Sequence, residues 1–330
     1  MGFDHILAQA LAIETLQRAL GRDRLAHAYL FEGPSGVGKQ KVALALACAL
    51  LCPEQPKQGC GVCAVCTRVL EGKHPDVRVF APRDEGNRNI QVELVREEIL
   101  PFAKFAPFEA NAACLIFPEA DVSFPVHHAE AANALLKTLE EPRARMTFLL
   151  LSERPDRLLS TIRSRCQPVR FGPLPKPVLR EILKQQAVDA ATIETACGLA
   201  FGSADRALAL AQDGLAERLL QFALRVDEAV QARKPGTLLD LADELASHDH
   251  RDLLLDTLSL FYRDVASRAI LGDTAELAFP QQGELIQQRA AALGGGRAAE
   301  RQRAIAVTRE AMERNANPET ALDALFFSFA

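Results

Sequence analysis

The stretch His27-Ala28-Tyr29-Leu30-Phe31-Glu32, running straight into Gly33-Pro34-Ser35-Gly36-Val37-Gly38-Lys39, decides the fold. An apolar run of this length bounded by glycines reads as a short buried strand. The glycines after it let the backbone wrap around phosphate oxygens. A lysine follows them, and residues 40–52 are an Ala- and Leu-rich helix. Strand, glycine loop and helix N-terminus together form an anion cradle, to which the Lys39 ammonium adds charge. Gly33, Gly36, Gly38 and Lys39 are therefore the candidate phosphate-binding residues, with Gln40 next in line.

Outward from that point, strands and helices alternate. Residues 3–26 read as one helix, with Ile6, Leu7, Ala10, Leu11, Ile13, Leu16 and Leu20 near helical spacing. Val77–Ala81, Cys114–Phe117 and Thr147–Leu151 read as further strands, and Val169–Phe171 closes the sheet. Residues 91–105 and 129–141 read as helices, the second stopped by Pro142. Arg157–Arg165 is a short helix or turn. This order predicts an α/β core with a mostly parallel sheet covered on both faces. After Pro173, Pro175 and Pro177 the pattern is helical to the end, with Gly294-Gly295-Gly296 marking a loop between late helices.

At 330 residues the chain suits two or three domains. A net charge of −5 does not advertise non-specific nucleic-acid binding, so any DNA contact needs a local basic patch or partner chains. With no Trp and two Tyr, base stacking on aromatics is not the main mechanism. The N-terminus lacks a signal pattern and no apolar run reaches membrane-spanning length. The expected compartment is a bacterial-type cytoplasm, where thiols stay reduced.

Eight cysteines then point to metal or buried thiols. Cys52, Cys60, Cys63 and Cys66 follow C-x7-C-x2-C-x2-C, with Gly59 and Gly61 relieving the turns. That spacing suits a closed, structural Zn²⁺ site of four thiolates. Only Lys57 and Arg68 add positive charge nearby, too little for a nucleic-acid-binding knuckle. Cys48, Cys114, Cys166 and Cys197 are expected to be small buried apolar residues.

The phosphate loop carries two departures from a hydrolytic site. Mg²⁺ normally takes a Ser or Thr hydroxyl after the lysine, and Gln40 stands there. The apolar strand Leu115-Ile116-Phe117 should end in an acidic pair, and it ends in Pro118-Glu119. Glu119 could orient a water, and Asp121 reads as a helix N-terminal acid. With the Mg²⁺ shell degraded twice, ATP or ADP binding stays open while hydrolysis by this chain is not expected. Ser164-Arg165-Cys166 lies beyond the end of this core. An arginine there is better placed for a nucleotide on a neighbouring subunit than for its own loop. The plain alternative is a surface arginine in a local ion pair.

With these motifs in hand, the chain resembles the delta-prime subunits of bacterial DNA polymerase III clamp loaders, a branch of the AAA+ family. The resemblance rests on residues 27–31, the cysteine module 52–66 and His74-Pro75-Asp76. Further matches are 131–142 (Ala-Ala-Asn-Ala-Leu-Leu-Lys-Thr-Leu-Glu-Glu-Pro) and 157–166 (Arg-Leu-Leu-Ser-Thr-Ile-Arg-Ser-Arg-Cys). It is strong over about residues 3–210 and weaker beyond, where Asn315-Ala316-Asn317-Pro318 and the helix after it are similar to the family's C-terminal end. It implies an AAA+ core over residues 1–172, a helical lid over 173–212 and an all-α collar over 213–330 that joins a five-subunit assembly. It implies that Arg165, framed by Ser164 and Cys166, is an arginine finger acting in trans on a gamma or tau subunit. Gamma/tau and delta subunits are the implied partners, with the sliding clamp and primer-template DNA reached indirectly. On this reading the chain is a stator that helps load the clamp. The rival is a gamma/tau-like motor, which needs Ser or Thr at 40 and Asp at 118.

Several residues take their readings from the same comparison. Ser152 stands where a polar sensor residue would be, or is a strand-end cap. Gly202-Ser203-Ala204-Asp205-Arg206 is similar to a second sensor segment, with Asp205 where the motors' arginine would fall and Arg206 one place late. Lys137 is open between a DNA phosphate contact and a solvated lysine. His127, His128, Glu97-Glu98 and Glu140-Glu141 read as loop and helix-surface residues.

Overall fold

The computed structural model describes residues 2–82, 89–126, 128–141 and 145–329. Of the positions read above, His127 and Pro142 lie outside the described residues. The chain divides into two compact units, Met1–Leu174 and Pro175–Ala330.

The first unit is built on five parallel strands in the order β2-β3-β4-β1-β5. They are β1 (Ala28–Glu32), β2 (Val77–Val79), β3 (Ala113–Phe117), β4 (Met146–Ser152) and β5 (Gln167–Arg170). The helices are α1 (Ala10–Gly21), α2 (Lys39–Leu51), α3 (Ala64–Leu70), α4 (Val92–Leu94), α5 (Leu100–Lys104), α6 (Ala120–Ser123), α7 (Ala129–Glu140) and α8 (Ser160–Arg163). β4 is buried at all seven positions, as a strand covered on both faces must be. Side chains alternate across the pleat. Leu30, Leu115, Phe117, Phe148 and Leu150 therefore share one face, packed with Leu135 and Leu139 of α7 and with Val95 and Ile99. On the other side, α2 packs against β3 and β4.

Two local departures from the sequence pattern have tertiary causes. The helix expected over 3–26 is a 3-10 turn at Phe3–His5 followed by α1. Gln9 breaks it with a left-handed backbone (φ 71°). Its side-chain amide donates to the carbonyls of Val37 (3.2 Å) and Gly172 (2.7 Å) and accepts from the Gly172 N–H (3.1 Å). Between α4 and α5, residues Val95–Ile99 form a π turn in which the Leu100 N–H bonds the Val95 carbonyl. Pro101 follows it; proline has no N–H and its ring crowds the carbonyl four residues back, so the wider turn relieves both demands.

The second unit is helical throughout: α9 (Lys176–Gln185), α10 (Ala190–Leu199), α11 (Ala204–Ala211), α12 (Leu215–Gln231), α13 (Pro235–Ser247), α14 (Arg251–Leu271), α15 (Gly283–Glu313) and α16 (Pro318–Phe327). Asp189, Ser203 and Asn317 cap α10, α11 and α16 through their side-chain oxygens. The glycine run expected as a loop lies inside α15 instead, as a kink with non-helical angles at Gly294 (φ 74°, ψ 161°). Gly295 faces Ile270 of α14 so closely that a Cβ would lie 2.9 Å from it, so this glycine is set by helix packing. Among the described residues no helix is long and apolar enough to cross a membrane.

Candidate nucleotide loop, cysteine centre and arginine site

The phosphate loop follows β1 and ends where α2 begins, at Lys39. Gly36 (φ 68°) and Gly38 (φ 96°) both have left-handed backbone, which glycine adopts without cost. Gly33 is glycine for another reason: a Cβ there would lie 2.3 Å from the Phe171 carbonyl oxygen. The buried Lys39 ammonium donates to the carbonyls of Gly33 and Pro34, each at 2.6 Å. Ser152 ends β4 directly beside the loop, its carbonyl accepting from the Gly33 N–H (3.2 Å). The Ser152 Oγ is fully buried and has no hydrogen-bond partner among the described residues. These features fit a nucleotide phosphate. The Mg²⁺ shell does not fit: Gln40 is exposed, and Pro118 occupies the end of β3 where a carboxylate would be needed. The Asp121 carboxylate instead accepts from the Glu153 N–H (3.3 Å).

The four cysteines converge. Cys52, Cys60, Cys63 and Cys66 place their sulfurs within 4.8 Å of one another. Individual Sγ–Sγ separations are 3.6 Å (Cys52–Cys60), 3.8 Å (Cys52–Cys63) and 4.0 Å (Cys60–Cys66). Four thiolates on a tetrahedral Zn²⁺ with Zn–S near 2.3 Å stand about 3.8 Å apart, so the donor set fits that metal. Backbone N–H groups point at the sulfurs: Gln55 and Cys60 at Cys52, Cys63 at Cys60, and Cys66 at Cys63. The N–H groups of Val62 and Cys63 lower the Cys60 thiol to about 6, in the direction a metal ligand requires. Cys48, Cys114, Cys166 and Cys197 are buried, and burial raises their thiols, Cys114 and Cys166 to about 12. They are inert packing groups.

His74-Pro75-Asp76, which follows the cysteine module, is a clasp. The buried Asp76 carboxylate accepts from three successive N–H groups, of Phe108, Glu109 (3.0 Å) and Ala110 (2.8 Å). The His74 Nδ1 accepts from the Asp76 N–H, which leaves the proton on Nε2, 3.0 Å from the Glu109 carboxylate. Arg68 of α3 joins the same carboxylate at 2.5 Å. Asp76→Ala takes a buried acceptor from three part-buried donors and is expected to cost about 2 kcal/mol. The check is the urea midpoint: a change within experimental error would show that the clasp contributes nothing.

Arg165 lies two residues before β5. Its guanidinium is folded onto Glu140, the last residue of α7, through Nε (2.8 Å) and Nη2, and onto the Thr161 carbonyl through Nη1 (2.8 Å). Ser164 beside it is exposed and Cys166 is buried. The strand register fixes where this lies. β1 and β5 run parallel with Tyr29 opposite Gln167 and Glu32 opposite Arg170. Gly33 is thus level with Phe171, and the phosphate loop leaves the sheet at the end opposite to Arg165. Four strand residues already separate those levels by about 13 Å.

The remaining positions fall elsewhere. Arg206 of α11 is held by Asp256 of α14 at 2.6 Å, a carboxylate shared with Arg309, and lies over the Phe201 ring. It is committed to the interior of the second unit, while Asp205 is exposed. Lys137 is exposed and lines a cleft of about 440 Å³ with Leu100, Lys104, Ala134, Thr138 and Glu141. Glu97 and Glu98 lie on the exposed side of the π turn, and His128 precedes α7. The residue that sequence reasoning missed is Glu140, because no local pattern ties it to Arg165.

Comparison with known proteins identifies the family. The sequence profile of the family described as "DNA polymerase III, delta subunit" matches residues 8–175. The chain is 32% identical over 286 residues to the delta-prime subunit of DNA polymerase III from Bacillus subtilis, covering 86% of this chain and 84% of that protein. It is 32% identical over 247 residues to the delta-prime subunit from Haemophilus influenzae, covering 74% and 72%. Similarity to the Bacillus subtilis tau subunit is 35% over 172 residues, 51% of this chain and 29% of that protein. The chain belongs to the DNA polymerase III delta-subunit family, as a delta-prime-like clamp-loader subunit.

Proposed function

We propose, from the membership of this chain in that family, that it is the stator of a DNA polymerase III clamp loader. It lends Arg165 to the nucleotide of a neighbouring gamma or tau subunit, leaves hydrolysis to that subunit, and so helps load the sliding clamp onto primed DNA. The observation that carries this reading is the position of Arg165 at the end of the sheet opposite to its own phosphate loop. From there the guanidinium serves a phosphate outside this chain far more readily than one inside it. A guanidinium set against the transferring phosphoryl group offsets charge that develops in the transition state.

The chain's own loop is suited to hold ATP or ADP. Lys39 and the glycines would carry the phosphates, and the buried Ser152 hydroxyl would approach them. Exposed Gln40 and Pro118 leave Mg²⁺ without its usual protein ligands, and Arg206, taken up by Asp256, is not free to act as a sensor. The second unit would comprise the lid over 173–212 and the collar over 213–330. Cys52, Cys60, Cys63 and Cys66 would hold a structural Zn²⁺. Similarity to tau keeps the motor reading in view, yet the same two positions, 40 and 118, argue against it.

The test is ATP turnover by the purified chain with Mg²⁺ and primed DNA. We expect none above background, and no change on Lys39→Ala. Robust turnover abolished by Lys39→Ala would make the chain a motor and overturn the stator reading.

A further inference from the structure

Arg165 is not presented bare. Its guanidinium makes four hydrogen bonds: Nε and Nη2 to the Glu140 carboxylate, Nη1 to the Thr161 carbonyl and Nη1 to the Ser164 hydroxyl at 3.4 Å. Arginine has five N–H groups, arranged so that one edge, Nε with Nη2, matches the oxygens of a carboxylate or a phosphate. Glu140 occupies that edge. A phosphoryl oxygen and a carboxylate oxygen are the same kind of acceptor for it, so they compete. The Thr161 carbonyl meanwhile holds the guanidinium from its Nη1 side, so the side chain stays anchored when the carboxylate leaves. Glu140 is the last residue of α7, where the open carbonyls of a helix C-terminus favour a cation, and Thr161 belongs to the one-turn helix α8.

We propose that Glu140 is a positioning residue for the trans site. It sheathes the arginine finger until the phosphates of a neighbouring subunit displace it. This rests on the reading of Arg165 given above. Engagement is then an exchange of one anion for another rather than the capture of a free cation. The assembly consequently stays slow until the neighbouring phosphates are seated well enough to outcompete a tethered carboxylate.

The experiment uses the full chain assembled with its partner subunits and measures ATP turnover without DNA or clamp, in four versions: wild type, Glu140→Gln, Arg165→Ala and the double variant. Glu140→Gln keeps the shape and a neutral acceptor while removing the charge. It is expected to raise basal turnover about two- to fivefold, the factor that a partly exposed ion pair is worth. Glu140→Asp is expected to return it toward wild type. In the Arg165→Ala background Glu140→Gln is expected to change nothing, because the two residues act on one contact. A merely structural role for Glu140 would lower thermal stability and would move turnover equally in both backgrounds. Turnover unchanged or lowered by Glu140→Gln, with Arg165→Ala still strongly impaired, would overturn the sheath and leave the finger standing. No loss on Arg165→Ala would overturn the finger, and the sheath with it.

Discussion

On the stator reading proposed above, Arg165→Ala is expected to lower ATP hydrolysis at the neighbouring site by roughly a thousandfold or more, while the chain itself stays folded. The expected size follows from what an arginine supplied in trans contributes to phosphoryl transfer. The folded chain tolerates the change because Arg165 is half-buried at the rim of the sheet and its ion pair with Glu140 is partly solvent-exposed. Such pairs contribute about 1 kcal/mol at most. Lysine is a poor substitute: it offers a point charge where the guanidinium offers a planar fork, so Arg165→Lys is expected to recover little. Single-turnover phosphate release in the assembled complex is the measurement, since it resolves one slowed site among several. A loss below tenfold at that site, with assembly intact, would mean that Arg165 is the local ion-pair residue that the isolated chain shows it to be. Cys166 is buried and inert and Ser164 contributes only a long contact, so substitutions there act through the position of Arg165.

The core was legible in the sequence where chemistry is local. β1, the glycine loop and α2 announce themselves because an apolar run, glycines with left-handed backbone and a lysine must stand in that order to wrap an anion. The four cysteines are equally plain, since a chelate needs their spacing whatever surrounds it. Both losses from the Mg²⁺ shell could be read at single positions, 40 and 118. What could not be read depends on distant partners. Gln9 breaks the first helix because its amide bonds Val37 and Gly172, the latter just beyond β5 and 163 residues away in sequence. Asp76 caps a turn some thirty residues away, and Arg206 is claimed by Asp256. Glu140 meets Arg165 only because α7 and the segment before β5 end side by side. The glycine run at 294–296 reads as a loop by composition, yet helix packing against Ile270 turns it into a kink.

Loss of the zinc proposed for the cysteine centre is the other change with a large expected effect. The chain purified under reducing conditions is expected to carry one equivalent of Zn²⁺. Cys60→Ser or Cys63→Ser, or a strong chelator, is expected to remove it. Zinc binding in small modules contributes on the order of 10 kcal/mol of folding free energy, because the ligands are not preassembled in the unfolded chain. Here part of the site is preassembled: Cys52 ends α2 and Cys66 lies within α3, so the loss should be local rather than global. The segment between them spends the Gln55 and Cys60 N–H groups on a sulfur, and its ties to the rest of the chain are few, chiefly the Lys57 N–H on the Ala49 carbonyl (2.8 Å) and the Lys57 ammonium on Asp23. Gly2 packs against Gly59 so closely that a Cβ would lie 2.3 Å from the Gly59 carbonyl, which ties the N-terminal turn and buried Phe3 to the same loop. Proteolysis within 53–62 and at the N-terminus should therefore appear together on zinc removal, while the sheet remains protected. Cys48→Ser and Cys114→Ser serve as controls that keep the zinc. Full zinc retention by Cys60→Ser, or a zinc-free chain with an intact 53–62 segment, would show that the thiols cluster for packing alone. The sulfur geometry argues otherwise: three separations of 3.6–4.0 Å, with all four sulfurs within 4.8 Å of one another, are too long for disulfides and suit a tetrahedron around a single ion.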